Sequence, residues 1–311
     1  MLRVTFLGTA AGRPTVGRNV SGILVNRQGE LLLFDCGEGT QRQMMRFGTG
    51  FAIRDIFFTH MHADHFLGVI GLLRTMGLQG RQEPISLWAP EGGGQILHEA
   101  VHLGVERVPF AIEIHELEPE ARIEREEYAI VAYRSQHGGR SLGYALIEHP
   151  RRGRFYPERA RALGVPEGPL FGKLHRGEPV EVNGRIVRPE EVVGAPRPGR
   201  RIVYTGDTRP CRATIEAARG GDLLIHDATF GDDEADRARE TGHSTAREAG
   251  TVAQRAGVAQ LILTHLSPRY DDDPRVLERQ AREVFPRVMA AYDGLEVEVA
   301  YRNDEEEEEG A

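Results

Sequence analysis

Lysine is almost missing from this chain: Lys173 is the only one, and arginine carries the rest of the positive charge. Cysteine is nearly as scarce. Cys36 and Cys211 cannot form a disulfide framework, which argues against a cross-linked extracellular scaffold and for a reducing compartment. No apolar run approaches the roughly 18 residues needed to span a bilayer, so no membrane-embedded role is expected. The start, Met1-Leu2-Arg3-Val4-Thr5-Phe6-Leu7, reads as a first strand and lacks the succession of regions that marks a signal peptide. The expectation is a soluble, cytoplasmic protein. No repeat recurs at a fixed period. At 311 residues the chain can bury a large core, as one α/β domain or two.

Net charge is −8, but residues 304 to 309 are all acidic, and without them the remainder carries about −2. The tail 304–311 is too short and too charged to pack and is expected to be disordered. Between Arg151 and Arg201 there are twelve basic and six acidic residues, an excess that suits phosphates. A solvated arginine-rich loop would give the same count.

The densest chemistry lies in His60-Met61-His62-Ala63-Asp64-His65, directly after an apolar run. Imidazole and carboxylate are preferred zinc ligands. In extended chain His60 and His62 point the same way, whereas a helix starting near Ala63 turns Asp64 and His65 toward a second point. Two directions imply two metal ions. Further ligand-type residues follow strand-like runs: His137 after Tyr128 to Tyr133, Asp207 after Arg201 to Gly206, and His265 after Leu261 to Thr264. Such ends converge on one edge of a sheet. Five histidines and two aspartates suffice for two Zn2+ sharing one carboxylate.

With these motifs the chain resembles the metallo-β-lactamase fold and, within it, ribonuclease Z, the tRNA 3′-end endonuclease. The resemblance rests on Phe6-Leu7-Gly8-Thr9, Phe34-Asp35-Cys36-Gly37-Glu38-Gly39-Thr40-Gln41, Gly206-Asp207-Thr208, His226-Asp227-Ala228-Thr229-Phe230, Gly242-His243-Ser244-Thr245 and Thr264-His265-Leu266-Ser267-Pro268-Arg269-Tyr270. The zinc motif marks only the superfamily; the segments around Asp227 and His243 point to the tRNA enzyme. Two departures stand out. The family usually has Glu at Asp227. It also commonly reads Pro-x-Lys-x-Arg-Asn where this chain has Pro14-Thr15-Val16-Gly17-Arg18-Asn19.

The resemblance implies an α/β fold, a four-layer αββα sandwich over 1–303 with an inserted flexible arm at 149–177. It implies zinc-dependent removal of the 3′ trailer from precursor tRNA, leaving a tRNA 3′-hydroxyl and a trailer 5′-phosphate. His60, His62 and His137 would hold one ion, Asp64, His65 and His265 the other, with Asp207 between them. Asp64 is the candidate proton acceptor. His243, oriented by Asp227, is the candidate donor to the departing oxygen. Arg151, Arg152, Arg154, Gly168, Pro169, Lys173 and Arg176 in the arm, with Arg18, Asn19 and Arg269 elsewhere, are candidate RNA contacts. In the family a homodimer lets one subunit's arm present RNA to the other's site, and the same is expected here.

Glycine and proline are dense in 149–177, which disfavours a packed helix there apart from a short stretch near 158–163. Other helices are predicted at 39–47, 65–76, 93–103, 214–219, 245–257 and 274–285. Strands are predicted at 3–7, 21–25, 31–34, 55–59, 85–88, 223–225 and 295–301. His98-Glu99-Ala100-Val101-His102 matches a zinc-protease signature, but no third ligand can be named, and both histidines read as surface residues. Two other readings compete: a hydrolase of small esters, lactones or phosphodiesters, which needs no basic arm, and an RNA-binding scaffold with a degenerate site, which predicts missing ligands.

Overall fold

Side-chain alternation along the strands dictates the layering. In strand Leu2–Gly8, Leu2, Val4 and Phe6 face one way and Leu7 the other; in Glu30–Phe34, Leu32 and Phe34 oppose Leu31 and Leu33. Both sets are buried, so each strand requires cover on both faces. The computed structural model describes residues 1–302, which divide into two compact units: 1–147 with the chain from Arg200, and Glu148–Gly199.

The larger unit holds two seven-stranded mixed sheets. In the first, Leu2–Gly8, Gly22–Arg27 and Glu30–Phe34 pair antiparallel, and Ile53–Phe57, Ile85–Pro90 and Ile112–Leu117 continue in parallel. The second has a parallel run of Arg201–Tyr204, Leu223–Asp227, Gln260–Thr264 and Val288–Ala290. Their facing sides share a core in which the rings of Phe34 and Phe57 lie 5.1 Å apart and those of Phe57 and Tyr144 lie 5.4 Å apart. Outside the first sheet pack helices Thr40–Arg46, Gly68–Leu78 and Gly93–Val101, through Met44, Leu72 and Leu97. Outside the second pack Arg212–Ala218, Ala246–Ala256 and Arg275–Arg282, through Ala218, Val252 and Leu277. This is a four-layer αββα sandwich of the metallo-β-lactamase type.

The predicted helix 65–76 is two helices, Ala63–Phe66 and Gly68–Leu78. They meet where Gly68 passes so close to the Gly37 carbonyl that a Cβ would lie 1.9 Å from its oxygen. Strand Ile112–Leu117 escaped the sequence reading because Glu113, His115 and Glu116 dilute its apolar signal. Helix Ala235–Thr241 escaped it too, having almost no apolar face.

The unit Glu148–Gly199 has its own core of Ala160, Val165, Leu174, Val180, Val187 and Val192. It therefore reaches past the 149–177 segment read from sequence, because the hairpin Val180–Val182/Arg185–Val187 and Val192 complete that core. It also contains a helix, Pro169–His175, where glycine and proline argued against one. Pro169 stands at the first helical position, where a missing N–H costs nothing. The acidic run 304–309 lies outside the described residues.

Candidate metal centre

The ligand-type side chains meet beyond the carboxyl ends of the strands, where layered α/β folds place their sites. His60 and His62 follow Ile53–Phe57, Asp64 and His65 occupy the single turn Ala63–Phe66, and His137, Asp207 and His265 follow Tyr128–Arg134, Arg201–Tyr204 and Gln260–Thr264. His60, His62, His137 and Asp207 bring potential ligand atoms within 4.8 Å of one another, and so do Asp64, His65 and His265. Asp207 offers one oxygen to each group. Its Oδ2 lies 3.6 Å from His60 Nε2 and 3.9 Å from His137 Nε2. Its Oδ1 lies 3.4 Å from His65 Nε2 and 3.3 Å from His265 Nε2.

Nitrogens 2.0–2.1 Å from a tetrahedral zinc stand roughly 3.3 Å apart, so these spacings suit a divalent ion in each group. His60 Nε2 and Asp207 Oδ1 are buried without a hydrogen-bond partner among the described residues. Buried polar atoms rarely go unsatisfied, and a cation would satisfy both.

Residues to which the sequence reading gave no role fix which ring nitrogen faces the centre. Asp35 Oδ2 accepts from His65 Nδ1 at 2.8 Å, the Gly242 carbonyl from His137 Nδ1 at 2.9 Å, and Thr229 Oγ1 lies 2.8 Å from His265 Nδ1. Thr59 Oγ1 lies 3.1 Å from His60 Nδ1. Each leaves Nε2 for the metal. Asp35 is itself buried and also accepts from the Thr59 amide and hydroxyl and the Tyr204 hydroxyl. Its sequence signal was the one Asp207 gives, a carboxylate after an apolar strand, but inward bonding hid its purpose. Gly206 lets the chain pass Thr59: its φ is +57°, and a Cβ there would sit 2.6 Å from the Thr59 side chain.

Burial, then the charge of His65, pushes the His60 ring well below the ordinary histidine range; burial and His137 lower His62. Burial disfavours charge on Asp64 and Asp207, yet the surrounding histidines hold both below the usual carboxylate range. Neutral imidazole and ionised carboxylate are the metal-binding forms. His65 behaves oppositely. Burial opposes its charge, but Asp207 and Asp35 lift it well above the ordinary value.

His243 stands over this centre, its ring 4.7 Å from His137 and 5.2 Å from His265. Thr245, not His243, caps the following helix: its side chain accepts from the Glu248 amide, and the Glu248 carboxylate accepts from the Thr245 amide at 2.9 Å. His243 Nδ1 donates to Asp227 Oδ2 at 2.9 Å. Burial opposes charge on this ring, but Asp227 raises its pKa to about 9. Asp227 is held rigidly by the amides of Thr208 and Thr229 and the Thr229 hydroxyl, at 2.7–3.0 Å.

Residues 2–147 match the profile of the anti-Pycsar protein Apyc1, and residues 184–266 that of a beta-lactamase superfamily domain. Ribonuclease Z of Myxococcus xanthus is 57% identical over 305 residues, covering 97% of this chain and 99% of its own length. Ribonuclease Z of Methanosarcina acetivorans is 52% identical over 303 residues, with 97% and 99% covered. The chain belongs to the ribonuclease Z family. It is an endoribonuclease, a hydrolase built around a centre suited to a metal cofactor. The short form of human tRNase Z superposes with a TM-score of 0.70 at 28% identity, covering 96% of this chain and 99% of that one. The metallo-β-lactamase-fold protein YhfI of Bacillus subtilis, at 19% identity and a TM-score of 0.69, shares the fold.

Within this ribonuclease Z framework the other sequence-marked residues fall into distinct settings. Arg18 is turned inward, its side chain 9% exposed, bonding Asp271, Thr9 and the Ala291 carbonyl. The Asn19 amide donates to Asp293 at 2.6 Å. Arg269 pairs with Glu234 and lies 5.6 Å over the Phe230 ring. In the smaller unit Arg152, Arg154, Lys173 and Arg176 are exposed, Arg151 pairs by backbone with Arg197, and Gly168-Pro169 begins helix Pro169–His175. His98 and His102 are exposed, and neither belongs to a metal-binding group among the described residues. No helix there is long and apolar enough to cross a membrane.

Proposed function

We propose that this protein is a zinc-dependent endonuclease that removes the 3′ trailer from precursor tRNA in the cytoplasm, acting as a homodimer. The observation that carries the reading is Asp207, one carboxylate facing two histidine groups with separate oxygens, in a chain of the ribonuclease Z family. His60, His62 and His137 would hold one ion and Asp64, His65 and His265 the other, with Asp207 offering an oxygen to each. Two zinc ions in these positions would lower the pKa of a water and neutralise charge on the phosphate oxygens.

The chain's own residues handle the protons. Asp64 accepts the proton of the attacking water as the new oxygen–phosphorus bond forms. Across the phosphorus the bond to the ribose O3′ breaks, and His243 Nε2 protonates that oxygen. Asp227 keeps the His243 ring charged and aimed. The products are a tRNA 3′-hydroxyl and a trailer 5′-phosphate. Arginines and Lys173 of the unit Glu148–Gly199 bind tRNA phosphates, which fix position without reading sequence.

Incubation of zinc-loaded protein with a 3′-extended tRNA precursor, with both cleavage ends mapped, tests the proposed reaction. A cut leaving 3′-hydroxyl tRNA, abolished by chelation and restored by zinc, is the expected result. Intact RNA alongside rapid turnover of small esters would replace it with the small-substrate reading.

A further inference from the structure

The loop Thr9–Asn19 is anchored at both ends and bare at its tip. At its base Thr9 Oγ1, the Asn19 amide and Gln43 Nε2 all donate to the Asp293 carboxylate at 2.6–2.8 Å. Arg18 closes the same base through Thr9, Asp271 and the Ala291 carbonyl, so its charge is spent inside the protein. Further along, Ala11 N–H donates to the Leu266 carbonyl at 3.0 Å, one residue past His265. Gly12 N–H donates to Asp64 Oδ2 at 2.8 Å. The loop thus clips onto two segments, those of Asp64 and His265, that supply the same metal-binding group. The next residue is Arg13.

Arg13 is exposed, and among the described residues its guanidinium makes one weak bond, to the carbonyl of its neighbour Pro14 at 3.5 Å. Val16, where the resemblance led one to look for a lysine, is fully exposed and carries no polar group. The loop therefore has one cation free for a ligand, and it stands one residue from the hydrogen bond to Asp64.

From this placement we propose that Arg13 binds a backbone phosphate of the RNA strand beside the cleavage point, supplying from position 13 the charge that position 16 lacks. The inference rests on the endonuclease reading above and adds a positioning residue to it. A guanidinium suits a phosphate because its planar fork donates two parallel N–H bonds. Among the described residues its guanidinium makes no ion pair and no hydrogen bond beyond the one to Pro14, so its replacement should not cost the fold.

Arg13→Gln should leave the melting temperature, metal content and turnover of a small chromogenic phosphodiester unchanged. It should raise KM for 3′-extended precursor tRNA by roughly tenfold, the scale of one charged hydrogen bond. After chelator treatment of both, Arg13→Gln should bind the same RNA more weakly than the parent by a similar factor in fluorescence anisotropy. The log–log salt slope should fall by about 0.7, one single-strand phosphate contact. Arg13→Gln combined with Val16→Lys should recover most of the affinity. Unchanged RNA affinity and salt slope in Arg13→Gln would overturn the proposal, and so would equal losses on both substrates, which would make Arg13 a support for Asp64. Failure of the parent protein to bind or cut precursor tRNA would instead overturn the reading on which it rests.

Discussion

Asp35→Asn is the sharpest test of how the centre is held, because it changes one atom and no shape. Asp35 Oδ1 accepts from the Thr59 amide at 2.8 Å, a donor that cannot turn away. The asparagine oxygen should therefore stay on that side. The new NH2 then faces His65 Nδ1 and the Tyr204 hydroxyl, which Oδ2 received at 2.8 Å each. The hydroxyl can rotate to accept. His65 can accept only by giving up its Nδ1 proton while Nε2, the nitrogen that must be bare to bind metal, keeps one. Binding an ion would force the proton back to Nδ1 against the NH2, leaving buried donors unsatisfied at about 1–3 kcal/mol. That corresponds to the roughly 10–100-fold loss of metal affinity typical when a ligand's supporting partner is removed. The group of Asp64, His65 and His265 should weaken by that factor while the group of His60, His62 and His137 keeps its affinity. Zinc titration against a calibrated chelator, with melting of the metal-free protein as a control for folding, resolves the two. Unchanged affinity for both ions, in a variant that folds, would show that Asp35 does not set the His65 tautomer.

Asp207→Asn should weaken both ions because each of its oxygens faces a different histidine group, whereas His60→Ala should empty one; elemental analysis after zinc reconstitution separates them, and loss of a single ion from Asp207→Asn would refute bridging. His243→Ala should retain metal and RNA affinity but lower kcat on precursor tRNA by roughly 10²–10⁴-fold. A p-nitrophenolate ester, whose leaving group needs little protonation, should lose far less, and equal losses would rule His243 out as the acid. Deleting Glu148–Gly199 as a whole should raise KM for precursor tRNA and spare the chromogenic substrate. Ile147 and Arg201 are register partners in adjacent strands, so a short turn can rejoin the chain; loss of both activities with intact folding would show that the unit serves the centre itself.

Much of the centre was legible in sequence because its information is local. Histidine and aspartate directly after an apolar strand end up at a sheet edge whatever the rest of the fold does, and seven such side chains do meet in two groups. The layering was legible for the same reason, since strands apolar on both faces need cover on both. Residues whose purpose depends on distant partners were not legible. Asp35 looks like another strand-end carboxylate, yet three of its bonds go to Thr59, His65 and Tyr204, which only the closed sandwich brings together. Arg18 looks like a substrate contact by its motif, but Asp271 and Ala291, far along the chain, turn it inward. Nor does the sequence say that Gly12 reaches Asp64, which leaves Arg13, rather than Arg18, as the loop's free cation. Sequence alone determined which chemistry this chain carries, because residue type and strand periodicity are local properties. Tertiary structure decided which charges face inward as supports and which remain for a substrate, because hydrogen-bond partners are chosen by proximity in space.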